Sequence, residues 1–189
     1  RRGMDRNQLY HDIAKRTQGD IYIGVVGPVR TGKSTFIKRF LDLMVLPRIE
    51  NEFMRGRVVD EMPQSAAGRT IMTTQPKFVP NEAIRIDIGE NENCNVRLVD
   101  CVGYLVPGAM GHMEGEQARM VRTPWFDEDI PFEEAAEIGT RKVITEHSTI
   151  GLVVITDGTI TEIARENYIE AEARVIKEMQ ATGRAFVVI

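Results

Sequence analysis

Gly27-Pro28-Val29-Arg30-Thr31-Gly32-Lys33-Ser34 follows the apolar run IYIGVV at residues 21–26 and precedes a segment of helical spacing. The octet fits G-x-x-x-x-G-K-[ST], a spacing that lets successive backbone N–H groups wrap an anionic phosphate. Glycines permit the close approach, Lys33 reaches the β- and γ-phosphates, and Ser34 coordinates Mg²⁺. The helix that follows aims its positive N-terminus at the same point. An almost uniformly apolar hexamer is what a strand covered on both faces requires. The motif therefore lies between a buried strand and a helix, where phosphate binding needs it.

Outward from the octet, residues 33–46 carry Phe36, Ile37, Phe40, Leu41 and Met44 at helical spacing, and Pro47 ends the helix. A short helix is expected over 8–16, and partial helix over 50–62. Residues 63–74 form a polar loop. Strands are expected at 77–79, 83–88 and 96–99. The short connection over 90–95 makes the last two an antiparallel hairpin, since a parallel crossover needs a dozen or more residues. No clear periodicity runs from 101 to 131, and a connection this long is usually functional or mobile. A helix over 132–146, a buried strand over 150–155, a helix over 167–181 stopped by Gly183, and a buried strand over 185–189 follow. The sum is an α/β three-layer pattern in a single domain over 1–189. Arg1-Arg2-Gly3 ahead of Met4 read as an added remnant. The apolar run at the other end reads as the interior of a longer protein, of which this is the N-terminal piece.

Composition narrows the class. With 24 Lys and Arg against 28 Asp and Glu, the formal charge is −4, and the basic residues are scattered. That is a poor nucleic-acid footprint. No apolar run approaches the roughly 18–20 residues of a membrane span. Two cysteines, Cys94 and Cys101, in 189 residues suggest structural thiols in a reducing compartment. His11, His112 and His147 share no metal-like spacing, and Met110, Met113 and Met120 read as packing residues, with a partner-facing patch as the alternative. Glu133, Glu134 and Glu137 read as a solvated first helical turn.

Two further elements complete a nucleotide site. Asp100-Cys101-Val102-Gly103 closes the strand at 96–99; a carboxylate there can hold the Mg²⁺ shell, and Gly103 can offer its N–H to a γ-phosphate. Thr70, Thr73 and Thr74 lie between the first helix and the hairpin. A hydroxyl there completes the Mg²⁺ shell only when a γ-phosphate draws the loop closed; the alternative is that Thr73-Thr74 opens a strand, and the two are not ranked. Arg30 places a fixed guanidinium three residues before Lys33. It either neutralises charge between the β- and γ-phosphates or points to solvent or a carboxylate. Nucleotide contact falls to Gly27, Arg30, Thr31, Gly32, Lys33, Ser34, Thr35 and Gly103, catalysis to Lys33, Thr73, Thr74, Asp100 and Arg30, and the metal to Ser34, Thr74 and Asp100.

The strings GPVRTGKSTFIKRF, MPQSAAGRTIMTTQPKFVPN, RLVDCVGY, TPWF and EAAEIGTRKVI…EHSTIGLVV together resemble the N-terminal domain of the stage IV sporulation protein A family of spore coat morphogenetic ATPases, from about Leu9 to Ile189. The resemblance implies a P-loop NTPase fold of the translation-factor-type GTPase class, mostly parallel with one antiparallel strand. It implies ATP as substrate and self-assembly into a static polymer. That polymer is a coat basement layer on the forespore surface, facing the mother-cell cytoplasm. Other coat proteins and a membrane-surface anchor would be met by regions outside this chain. The lysine, threonine pair and aspartate of the family map onto Lys33, Thr73-Thr74 and Asp100. Two departures from ordinary GTPases stand out. Tyr104 follows Gly103 where many small GTPases place a water-orienting Gln. The guanine-reading N-K-x-D element would follow the last strand, so base choice is not encoded in these residues. A GTP-dependent binding switch that recruits coat or membrane partners is the alternative.

Overall fold

A computed structural model describes residues 19–63, 74–89, 92–109, 113–159 and 162–189. The helix expected over 8–16, and with it His11, Thr70, Thr73, Met110 and His112, lie outside the described residues.

Strand β1 (Asp20–Val26) is central to a five-stranded sheet of order β2-β3-β1-β8-β9. Its partners are β3 (Glu92–Asp100) and β8 (Ile150–Val153), both parallel. The edge strand β2 (Lys77–Gly89) runs antiparallel to β3, and β9 (Phe186–Val188) pairs parallel with β8. β2 and β3 thus form the antiparallel hairpin expected from the short connection between them. The two short strands expected at 77–79 and 83–88 are one strand with a register shift between Val79 and Ile84. Pro80 lacks an N–H to give the ladder, and a bulge on an edge strand accommodates it.

Two helical layers cover the sheet. Val25, Val96 and Leu98 pack with Ile37, Leu41 and Val58 of α1 (Lys33–Phe40), the turns after it, and α2 (Glu52–Glu61). Val26, Val99 and Val153 pack on the other face with Ala171, Val175 and Met179 of α4 (Ile169–Ala181) and with Val143 and Ile144, in the π-helical extension of α3 (Phe132–Lys142). Alternate residues of β1 thus serve opposite cores, which is why residues 21–26 are almost uniformly apolar.

Several expectations need correction. The first helix does not stop before Pro47: α1 loosens into a π-turn over Leu41–Val45 and a 3₁₀ turn over Leu46–Arg48. Proline sits early in that last turn, where its missing N–H costs nothing, and Met44 ends up exposed. Val187, Val188 and Ile189 of β9 are 55%, 40% and 45% exposed, unlike the buried strand expected over 185–189. Within 101–131, two small antiparallel ladders form, β4 (Met113–Glu114) with β5 (Gln117–Ala118) and β6 (Met120–Val121) with β7 (Ile130–Pro131). Met113 and Met120 are exposed there rather than packed. Glu133 and Glu134 are solvated as expected, but Glu137 is half-buried and paired with Arg174.

Candidate nucleotide site

The chain leaves β1 toward β3 on one side and later returns to β8 on the other. Connections that diverge in this way open a crevice at the carboxyl ends of the strands, the usual ligand position in open α/β sheets. The Gly27–Ser34 octet fills that place. Gly27 (φ 152°) lies so close to β8 that a Cβ on it would stand 2.3 Å from the Val154 carbonyl oxygen. Arg30 (φ 59°) and Gly32 (φ 94°) are both left-handed. Such residues in a turn gather N–H groups into a concave anion seat. For Arg30 this is an uncommon backbone.

Lys33 is 5% exposed, and its Nζ donates to the Pro28 carbonyl at 2.7 Å. Thr31 Oγ1 donates to the same oxygen at 3.0 Å. Burial lowers the Lys33 pKa, and the charge of Asp100 opposes that shift. Ser34 is exposed at the start of α1, and its Oγ donates to Asp100 Oδ2 at 3.0 Å although 66 residues separate them. Thr35 is exposed beside it. The Cys101 N–H donates to Asp100 Oδ1 at 2.9 Å. Burial raises the Asp100 pKa, with Lys33 and these two hydrogen bonds pulling the other way. Two oxygen ligands side by side, one hydroxyl and one carboxylate, are the hard donor set that Mg²⁺ takes alongside phosphates and waters.

The loop after β3 lies against the octet. The Val29 N–H donates to the Tyr104 carbonyl at 2.9 Å, and Pro28 and Tyr104 continue the parallel pairing of their strands. Gly103 (φ 92°) is wedged in: a Cβ would stand 2.2 Å from Gly27 O and 2.9 Å from Lys33 Nζ. Its N–H is not directed to open space, as expected for a γ-phosphate donor. It donates to Thr140 Oγ1 at 3.1 Å. The buried Cys101 thiol lies 3.5 Å from the Val25 carbonyl oxygen, and burial pushes it up to about 11, so it is inert.

Lys33, Ser34, Asp100 and Gly103 are thus brought together as the spacing implied. Thr74 is buried just before β2, its carbonyl oxygen against Gly139 of α3. Tyr104 is 2% exposed, and its hydroxyl is bonded to Glu178 of α4. The Arg174 guanidinium stacks 3.9 Å from the Tyr104 ring centroid and pairs with Glu137 at 2.8 Å. Burial and the Glu178 bond push the Tyr104 pKa up. Where a water-orienting Gln is common, this chain has a core anchor. Sequence reasoning missed Thr140 and this network, since neither forms a motif.

Residues 4–189 match the family model described as "Stage IV sporulation protein A, ATPase domain". The chain belongs to the stage IV sporulation protein A family. Among curated relatives, Stage IV sporulation protein A of Bacillus anthracis is 63% identical over 186 residues, 98% of this chain and 38% of that protein. The Bacillus subtilis (strain 168) protein is 61% identical over 98% of this chain, and that of Clostridioides difficile (strain 630) is 58% identical over 97%. The chain therefore spans 38% or less of the length of these relatives. Among the described residues, no helix is long and apolar enough to cross a membrane, and no three His, Cys, Asp or Glu side chains are grouped so that they could hold a metal ion.

Proposed function

We propose that this domain of the stage IV sporulation protein A family is a Mg²⁺-dependent P-loop ATPase of the translation-factor-type class. Its hydrolysis drives self-assembly of a coat basement scaffold at the forespore surface, on the mother-cell cytoplasmic side. The single observation that carries the chemical reading is the 3.0 Å contact of Ser34 with Asp100 across the mouth of the octet. The antiparallel β2–β3 pair beside a parallel sheet supports the class. The family membership supports ATP, assembly and the coat setting. Partners beyond a second copy, including other coat proteins and a membrane-surface anchor, belong to the remaining length of the protein.

Within this reading, the octet's N–H groups and Lys33 bind and orient the phosphates. Ser34 and Asp100 would hold Mg²⁺, which would supply charge neutralisation at the phosphates. Thr73 or Thr74 adds a hydroxyl once the loop closes, and Arg30 adds a fixed cation beside the phosphates. Tyr104 leaves water positioning to the threonines or to a group supplied by another copy. The test is turnover of the full-length protein with Mg-ATP and Mg-GTP side by side, read together with sedimentation. ATP hydrolysis accompanied by pelleting supports the reading. Equal use of both nucleotides moves it to a GTP-type binding switch.

A further inference from the structure

We propose that Thr140 is a positioning residue that holds the Gly103 amide in the absence of a γ-phosphate and yields it when a triphosphate binds. The inference rests on the phosphate-site reading above. A backbone N–H has one hydrogen to give, and that of Gly103 is spent inside the protein, on Thr140 Oγ1 at 3.1 Å with the Cys101 sulfur as a second acceptor. Thr140 is fully buried, and Gly103 is buried beside the Lys33 ammonium. The N–H would therefore trade a buried hydroxyl acceptor for a phosphate oxygen. A phosphate oxygen carries charge and makes the stronger bond, so the exchange runs toward the triphosphate.

The position of Thr140 gives the exchange a mechanical consequence. A helical threonine ordinarily turns its hydroxyl toward a carbonyl one turn back; this one accepts from a loop on another element and also reaches the Cys101 thiol. It thus grips both residues that flank Val102. Its neighbour Gly139 abuts the other loop: a methyl group there would come within 2.5 Å of the Thr74 carbonyl oxygen. One dipeptide of α3 therefore touches the ends of both loops that a γ-phosphate would draw in. Releasing Gly103 from Thr140 loosens the tie between the loop after β3 and α3.

The experiment measures the affinity of the full-length protein for ADP and for a non-hydrolysable ATP analogue. In the unmutated protein, analogue binding must first break the Thr140 bond, and ADP binding need not. Thr140→Val, close in shape but without the acceptor, is expected to bind the analogue about tenfold tighter, roughly 1.4 kcal/mol, with ADP affinity unchanged. Thr140→Ser restores the hydroxyl and the original ratio. Thr140→Ala removes the same acceptor with less bulk and reads the same ratio where Val disturbs folding. An unchanged ratio in both Thr140→Val and Thr140→Ala, or parallel changes for the two nucleotides, overturns the exchange and leaves Thr140 a packing residue. Failure of the unmutated protein to bind either nucleotide overturns the phosphate-site reading itself.

Discussion

Replacing Gly103 by alanine tests the packing of the two phosphate-side loops. The residue has φ 92°, a left-handed backbone that costs an L-residue about 1–2 kcal/mol. Gly32 (φ 94°) and Gly183 (φ 67°) carry the same backbone cost, but a Cβ on either meets nothing within 4 Å. At Gly103 the new methyl stands 2.2 Å from Gly27 O and 3.0 Å from the Pro28 carbonyl carbon. Neither can swing aside as a side chain could. Gly27 has no room to retreat, because it is itself pressed on Val154 O of the neighbouring chain segment. Overpacking of this kind adds about 1–3 kcal/mol, so Gly103→Ala should cost about 2–5 kcal/mol in all. Each substitution also stiffens the unfolded chain by a similar amount, which cancels in the comparison. At about 2–4 °C per kcal/mol for a domain of this size, the overpacking alone should make Gly103→Ala melt about 2–12 °C below both controls in nucleotide-free thermal unfolding. A Gly103→Ala protein that melts with Gly32→Ala and Gly183→Ala would refute the wedge between the two loops.

Two further outcomes follow from the same geometry. Lys33 is buried with its folded pKa below the ordinary lysine value of 10.5, so its charge opposes folding below that folded pKa, and the penalty fades as pH rises toward 10.5. Lys33→Met should therefore melt higher than the unmutated protein at pH 7, with the gap closing on the alkaline side as both are followed by thermal unfolding; Pro28 O retains its bond from Thr31. Tyr104→Gln should lower stability by about 3 kcal/mol or more, through loss of a buried aromatic, and leave turnover no faster. Denaturant melts and an ATPase assay check both halves, and accelerated hydrolysis would show that position 104 reaches the phosphates.

The parts of this site legible in the sequence are those governed by local backbone geometry. The octet had to follow a buried strand and open a helix, and the loop length over 90–95 allowed only a hairpin. Asp100 was legible because D-x-x-G closes the second arm of the expected hairpin in a chain that carries the phosphate-binding octet. Unreadable parts depend on contacts between distant segments. Nothing near Thr140 in sequence marks it as the acceptor for an amide 37 residues away. The burial of Tyr104 depends on Glu178 and Arg174 arriving from α4. The exposure along 185–189 is not legible either, since composition reports hydrophobicity and not what lies alongside. Pro47 misled for a related reason: it forbids continuation of an α-helix but fits the first positions of a 3₁₀ turn.

The central claim is that Lys33, Ser34 and Asp100 form one phosphate-transferring centre. Mg-ATP turnover of the full-length protein carrying Lys33→Ala tests it most directly. Removal of the compact cation at the β- and γ-phosphates should lower the rate by about 10²–10³-fold, while a folded chain persists by circular dichroism. Hydrolysis at the unmutated rate in the folded Lys33→Ala protein would contradict the assignment.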